Sequence, residues 1–275
     1  MKPLDRYSMA CLLMVGLLFS GLFPASMAAK PIKVALYADE GTLPRCLDST
    51  LNIISKVKGM EAHTLKSQDI REGKLNEYDV FLLPGGTASG QRQSLGPESC
   101  RILTEYIRNG KGLVATCAGV YLAGKDWNPN KRDIEVINSE VNDLDHWARG
   151  VQMVECEISG SIKGQNGKVF SIFYENGPPL VPSDLTTLPA YKSLARYRTD
   201  LHSPEAPQGE MGGKDAIIAA PFGKGKVLLF SPHPELTDGL EPLLIQGIKW
   251  AAAPLKKNER LSWESIFGKW VPGRN

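Results

Sequence analysis

Cys117 stands within Ala115-Thr116-Cys117-Ala118-Gly119-Val120-Tyr121, where an apolar run ends and a helix-forming stretch begins. Small residues around a nucleophile allow the sharp strand-to-helix turn that exposes its side chain. Free N–H groups and partial positive charge at the start of the next helix favour a thiolate. The plainer reading is a cysteine packed at a strand end, since free cysteine is commonly buried. A nucleophilic thiol needs a base. Three histidines are poorly placed: His63 lies in an extended run, His146 in an irregular segment and His202 in a Pro-rich loop. His233 directly follows the apolar run Lys226–Phe230, between Pro232 and Pro234, which stiffen the chain about it. Glu235 can accept an imidazole N–H and fix its tautomer, as a catalytic triad requires. Pro84-Gly85-Gly86 also follows an apolar run. Glycine lets a backbone N–H approach a reacting carbonyl closely. The N–H groups of Gly86 and Ala118 then suit an oxyanion hole, worth about 3 kcal/mol per donor. Taken alone, Pro-Gly-Gly is equally a tight turn.

For these residues to meet, their strands must end on one edge. Ile32–Tyr37, Met60–Leu65, Tyr78–Leu83 and Gly112–Thr116 read as strands. Leu43–Val57 and Pro97–Asn109 lie between them with apolar residues at helical spacing. Such alternation implies right-handed crossovers and a parallel sheet covered on both faces, a flavodoxin-like α/β fold. Carboxyl ends of parallel strands share the edge where ligands bind, so Cys117 and His233 meet there although distant in sequence. The second half reads differently. A short helix is expected near Ser139–Trp147, and Val151–Ile158 with Lys168–Tyr174 read as a small hairpin insertion, turned through Gly164-Gln165-Asn166-Gly167. Asp215–Ala220 and Lys226–Phe230 are strands, and Asp238–Ala252 is a helix with Glu241 set for a cap contact to Asp238. One domain spans 29–255, and the tail 256–275, with Trp263, Ile266, Phe267 and Trp270, docks on it.

The 275 residues carry 32 Lys+Arg against 30 Asp+Glu, net +2. That balance offers no basic surface for nucleic acid and no acidic tail. Residues 1–28 read as a secretory signal peptide: Lys2 and Arg6, the uncharged apolar run Met9–Phe23, then Ser26-Met27-Ala28 with cleavage after Ala28. The apolar run is shorter than the ~20 residues of a spanning helix, so a secreted or periplasmic protein without stable membrane insertion is expected. Cys46, Cys100, Cys117 and Cys156 follow the signal, with no choice of pairing among them; a working Cys117 must stay free. Neither metal nor cofactor is expected, because no His or Cys pair has ligand spacing.

The order Phe81-Leu82-Leu83-Pro84-Gly85-Gly86, then Ala115-Thr116-Cys117-Ala118-Gly119, then Ser231-Pro232-His233-Pro234-Glu235 resembles the class I glutamine amidotransferase-like superfamily, whose triad is Cys-His-Glu. Within it, the blocks 35–42, 81–89, 117–124, 172–181 and 223–236 are most similar to the biotin-protein ligase N-terminal domain family, in a stand-alone exported form. The resemblance covers roughly residues 32–250. It implies Cys117, His233 and Glu235 as catalytic residues, Gly86 and Ala118 as oxyanion donors, and Gly85, Tyr121, Tyr174 and Asn176 near the substrate. Glu40, after the first strand, resembles an acid that touches the cysteine in the protease/chaperone branch. Ala115 and Tyr121 stand where glutamine amidotransferases carry Gly and Gln or Glu, so the match does not extend to glutamine as substrate. Nor does it extend to biotin transfer, because the adenylate-binding motif is absent from the sequence. Three functions remain open: an amidase or hydrolase acting on a small-molecule or peptide amide or ester, a non-catalytic binding module, and a thiol-redox or stress protein centred on Cys117. The oligomeric state is not legible.

Overall fold

A computed structural model describes residues 30–125, 133–160, 167–269 and 272. Residues 1–28, where the sequence reads as a signal peptide, and most of the expected 164–167 turn lie outside the described residues. Pro31–Asn275 packs as one unit.

The first half alternates as its periodicity requires: β1 (Ile32–Tyr37), α1 (Pro44–Ser55), β2 (Met60–Leu65), α2 (Ser67–Arg71), β3 (Val80–Leu83), α3 (Ala88–Arg108), β4 (Gly112–Thr116) and the single turn α4 (Ala118–Tyr121). Then follow β5 (Ser139–Val141), β6 (Val151–Ile158), β7 (Val169–Glu175), β8 (Leu180–Pro182), β9 (Lys192–Tyr197), β10 (Asp215–Phe222) and β11 (Gly225–Phe230). Helices α5 (Glu241–Ala252) and α6 (Trp263–Phe267) close the chain. The sheet runs β2-β1-β3-β4-β11-β10-β9-β6-β7. Its first five strands are mutually parallel, the remaining neighbours antiparallel.

Alternation along each parallel strand divides the core between two faces. Val34, Leu36, Val80, Leu82, Val114, Leu228 and Phe230 pack with residues of α1, α5 and α6. Ala35, Tyr37, Phe81, Leu83, Leu113, Ala115 and Leu229 pack with Leu95, Leu103 and Ile107 of α3. Strands buried on both faces read as near-continuous apolar runs, which is how 80–83, 113–115 and 227–230 read.

Three expectations need correction. No helix spans 139–147; β5 and a 3-10 turn at Leu144–His146 lie there, separated by Asp143 at φ 52°. Helix α3 starts at Ala88, earlier than Pro97, because Gly96 at φ 65° joins two helical pieces. Helix α5 starts at Glu241 behind Leu240, with no side-chain cap, so the Asp238 contact is not formed. The β6–β7 hairpin forms as expected, and it extends the main sheet through β9 and β10. In the tail, Trp263, Ile266 and Phe267 are buried; Trp270 lies outside the described residues.

Candidate active site

The parallel strands β3, β4 and β11 are adjacent, so Gly85-Gly86, Cys117 and His233 leave the sheet side by side. Cys117 has φ 48° and ψ −107°, the left-handed side of backbone space that a residue with a Cβ rarely occupies. Its N–H bonds to Phe230 O at 2.9 Å, tying the bend to the strand that carries His233. The helix beyond is one turn long, so the dipole expected beneath the sulfur is slight. What it supplies is local: the N–H of Ala118 has no acceptor among the described residues.

His233 is fully buried, and its Nδ1 lies 2.7 Å from Glu235 Oε1. Thr116 Oγ1 donates to the same Oε1 at 3.2 Å. The histidine loop is pinned by His233 N to Phe173 O (2.8 Å), Thr237 Oγ1 to His233 O (2.7 Å) and Ser49 Oγ to Glu235 O (2.5 Å). Among the described residues, imidazole Nε2 and Glu235 Oε2 are buried without hydrogen-bond partners. Burial opposes the imidazolium, but the negative charges of Cys117 and Glu235, with contacts to Cys117 and Cys46, outweigh it. They hold His233 protonated well above its ordinary range. Cys117 is only 6% exposed, and its thiol donates to Glu175 O at 3.3 Å.

Gly85 and Gly86 are required by space. A Cβ on Gly85 would lie 2.6 Å from His233 Cε1 and 2.9 Å from Cys46 Sγ. One on Gly86 would lie 1.8 Å from Gly41 O. Leu43 N to Gly85 O and Thr87 N to Gly41 O join the loops after β1 and β3 as a Thr42–Gly86 bridge. That pattern leaves the Gly86 N–H without an acceptor among the described residues. Glu40, in the same loop, is exposed and has no side-chain hydrogen bond or ion pair among the described residues, so nothing links it to Cys117.

The turn after β7 closes the site. Asn176 has φ 50°; its Oδ1 accepts from Gly150 N at 2.7 Å and its O accepts from Tyr121 Oη at 3.1 Å. Tyr174 is fully buried, its hydroxyl donating to Gly177 O at 2.9 Å and its ring edge-on to Tyr197. Tyr174 therefore braces the turn from inside the core rather than forming an open wall, and Tyr121 braces it from the Cys117 side. Burial pushes both phenols up. Arg45 pairs with Glu175 and lies over Phe173, bridging α1 to this turn.

Sequence reasoning passed over Cys46. It lies on the first turn of α1, fully buried, with Sγ 3.9 Å from His233 Nδ1. Burial pushes its thiol up, so it faces the imidazole as a neutral group. Cys46, His233 and Glu235 each offer one donor atom within 4.8 Å of the others, a metal-compatible cluster that linear spacing could not reveal. Among the described residues no disulfide joins Cys46, Cys100, Cys117 or Cys156, and all four are buried.

No functionally curated protein matches the chain. A cytoplasmic protein of Salmonella typhimurium, 13% identical, superposes with a TM-score of 0.53 over 82% of this chain and 100% of its own. A ThuA-like protein of Bacteroides uniformis, 16% identical, gives 0.52 over 84% and 95%. At such identities the likeness concerns the fold. The family described as biotin-protein ligase, N terminal, matches residues 32–260. With that match spanning most of the chain, the chain belongs to the biotin-protein ligase N-terminal family.

Proposed function

We propose that the protein is an exported cysteine-dependent amidase or hydrolase acting on a small-molecule or peptide amide or ester. The observation that carries this reading is the left-handed Cys117 at a strand end beside a buried His233–Glu235 pair. Strained backbone at a nucleophile, a base with an open nitrogen, and a third group orienting that base are the parts of a triad. With the Cys117 proton on His233 Nε2, as the raised imidazole favours, the thiolate Sγ attacks the carbonyl carbon. The carbonyl oxygen, now negative, takes the N–H groups of Gly86 and Ala118. Collapse of the tetrahedral adduct breaks the C–N or C–O bond, and Nε2–H gives its proton to the leaving amine or alcohol. Water, deprotonated by Nε2, then hydrolyses the thioester and returns the Cys117 thiol. Glu235 holds Nδ1–H throughout.

A panel of amide and ester electrophile probes on the purified protein tests this reading. Labelling of Cys117 that disappears in Cys117→Ala and falls strongly in His233→Ala supports it; labelling indifferent to His233 overturns it. One observation favours a binding module instead: Cys117 is 6% exposed and its thiol is spent on Glu175 O. Under that reading no probe reacts, although ligands still shift the melting temperature. Export rests on the sequence of residues 1–28 and is tested by N-terminal sequencing of the protein from its native compartment.

A further inference from the structure

Arg149 belongs to none of the sequence motifs that carry the site, yet its side chain is wholly buried. It precedes β6 in an irregular stretch. One nitrogen, Nη2, serves the protein: it donates to Asp143 O at 3.0 Å and Asp143 Oδ2 at 2.9 Å. That carboxylate is shared, because Asp143 Oδ1 also meets His146 Nδ1 at 2.6 Å. Among the described residues Nε and Nη1 are buried and form no hydrogen bond beyond the guanidinium's contact with the Tyr174 side chain. A guanidinium stays charged at any ordinary pH. Burying its N–H groups without strong acceptors is costly, and a group of this kind in a native interior calls for an explanation.

The surroundings give one. Gly150, the next residue, exchanges two hydrogen bonds with Asn176: Gly150 N to Oδ1 at 2.7 Å and Asn176 N to Gly150 O at 3.1 Å. Asn176 is in turn held by Tyr121, and the neighbouring Glu175 O takes the Cys117 thiol. Arg149 is thus tied to the turn that covers the nucleophile. The guanidinium also contacts the Tyr174 side chain, whose hydroxyl reaches Gly177 O of the same turn.

We propose that Arg149 recognises a carboxylate on the molecule that Cys117 attacks, so that the substrate class is a carboxylate-bearing amide or ester. This inference rests on the nucleophile reading of Cys117. Opening of the 174–177 turn admits the substrate, and its carboxylate oxygens accept the N–H groups of Nε and Nη1 that the folded chain leaves without strong acceptors. Asp143 keeps Nη2 and fixes the plane of the guanidinium. Arginine suits the task because it stays ionised when buried.

The test compares two alkylating agents of nearly equal size, iodoacetate (anionic) and iodoacetamide (neutral), with modification of Cys117 followed by peptide mass mapping. Replacing a charge-assisted hydrogen bond by a neutral one costs roughly tenfold in rate or affinity. Arg149→Gln is therefore expected to slow iodoacetate about tenfold relative to iodoacetamide, and Arg149→Lys to restore much of the difference. A ratio unchanged by Arg149→Gln overturns the carboxylate proposal while leaving the nucleophile reading intact. If neither reagent modifies Cys117 in the native protein, the nucleophile reading falls and takes the proposal with it. Should Arg149→Gln fail to fold, protection of the native protein decides. Succinate is expected to shield Cys117 from iodoacetamide at concentrations where succinamide does not; equal shielding, or none by either, overturns the proposal.

Discussion

Replacing Glu235 by alanine removes the only carboxylate hydrogen-bonded to the His233 imidazole among the described residues. Both side chains are 0% exposed, so solvent screens neither. Breaking a buried pair by deleting one partner leaves an uncompensated charge and costs about 3–5 kcal/mol. Thr116 Oγ1 also loses its acceptor, a loss of about 1 kcal/mol that falls within this range. Domains are stable by only about 5–15 kcal/mol, so Glu235→Ala should lower the urea midpoint strongly with an unchanged slope. Glu235→Gln keeps the volume and an oxygen for Nδ1–H, but sets an amide nitrogen where Oε2 already lacks a partner. Its cost should be smaller, about 1–3 kcal/mol.

The pH dependence separates this cause from simple loss of packing. The folded protein raises the His233 pKa well above 6.5, chiefly because the Cys117 and Glu235 charges overcome burial. A group raised on folding contributes stability fully below its unfolded value, and that stability is lost as pH rises through the folded value. The Glu235→Ala penalty should therefore be largest near pH 6, by reference to the unfolded histidine at about 6.5. It should shrink steadily toward alkaline pH. Urea unfolding followed by tryptophan fluorescence across that range measures it. A penalty that stays constant with pH, or a glutamine variant as unstable as the alanine one, refutes the argument that a charged His233–Glu235 pair is at work.

Gly85→Ala drives a Cβ to 2.6 Å from His233 Cε1; it should destabilise by about 1–3 kcal/mol and suppress Cys117 alkylation disproportionately, read by thermal melts beside mass mapping. Cys117→Gly releases a side chain held at φ 48° and should raise stability by about 1 kcal/mol where Cys117→Ala, which keeps a Cβ, does not. Lys226, 2% exposed, pairs with Glu259 at 3.0 Å beneath the Trp250 ring, so Lys226→Ala should cost about 3–5 kcal/mol and expose the segment after Pro254 to limited proteolysis.

The parallel half of the fold was legible because both faces of its sheet are covered. Strands such as 80–83 then carry apolar residues at every position, and the helices between them carry one apolar stripe. The antiparallel half was legible strand by strand but not as an assembly. Val151–Ile158 alternates as half-buried strands do, yet nothing local says that Cys156 faces Tyr197 across to β9. The first piece of α3 was missed because residues 88–96 are polar and glycine-containing; burial of Gln91, Arg92 and Leu95 holds them helical.

Within the site, legibility followed strand ends. Gly86, Cys117 and His233 each terminate an apolar run, so topology alone brings them together, and Glu235 follows by proximity. Residues that arrive by other routes stayed hidden. Cys46 sits among the buried positions of an amphipathic helix, where a small apolar residue is the ordinary expectation; only the register of α1 against the His233 loop turns it toward Nδ1. Arg149 comes from a segment without periodicity, and what marks it is a property no sequence displays: two guanidinium nitrogens buried without strong acceptors. Tyr174 shows the converse. Its neighbourhood to the nucleophile was legible, but its direction was not. A hydroxyl that reaches Gly177 O rather than solvent converts a candidate binding residue into a brace for the turn above Cys117. The cover on the nucleophile is thus built from the same short segment, 174–177, that Arg149 grips through Gly150, so access to Cys117 and recognition by Arg149 depend on the same few hydrogen bonds.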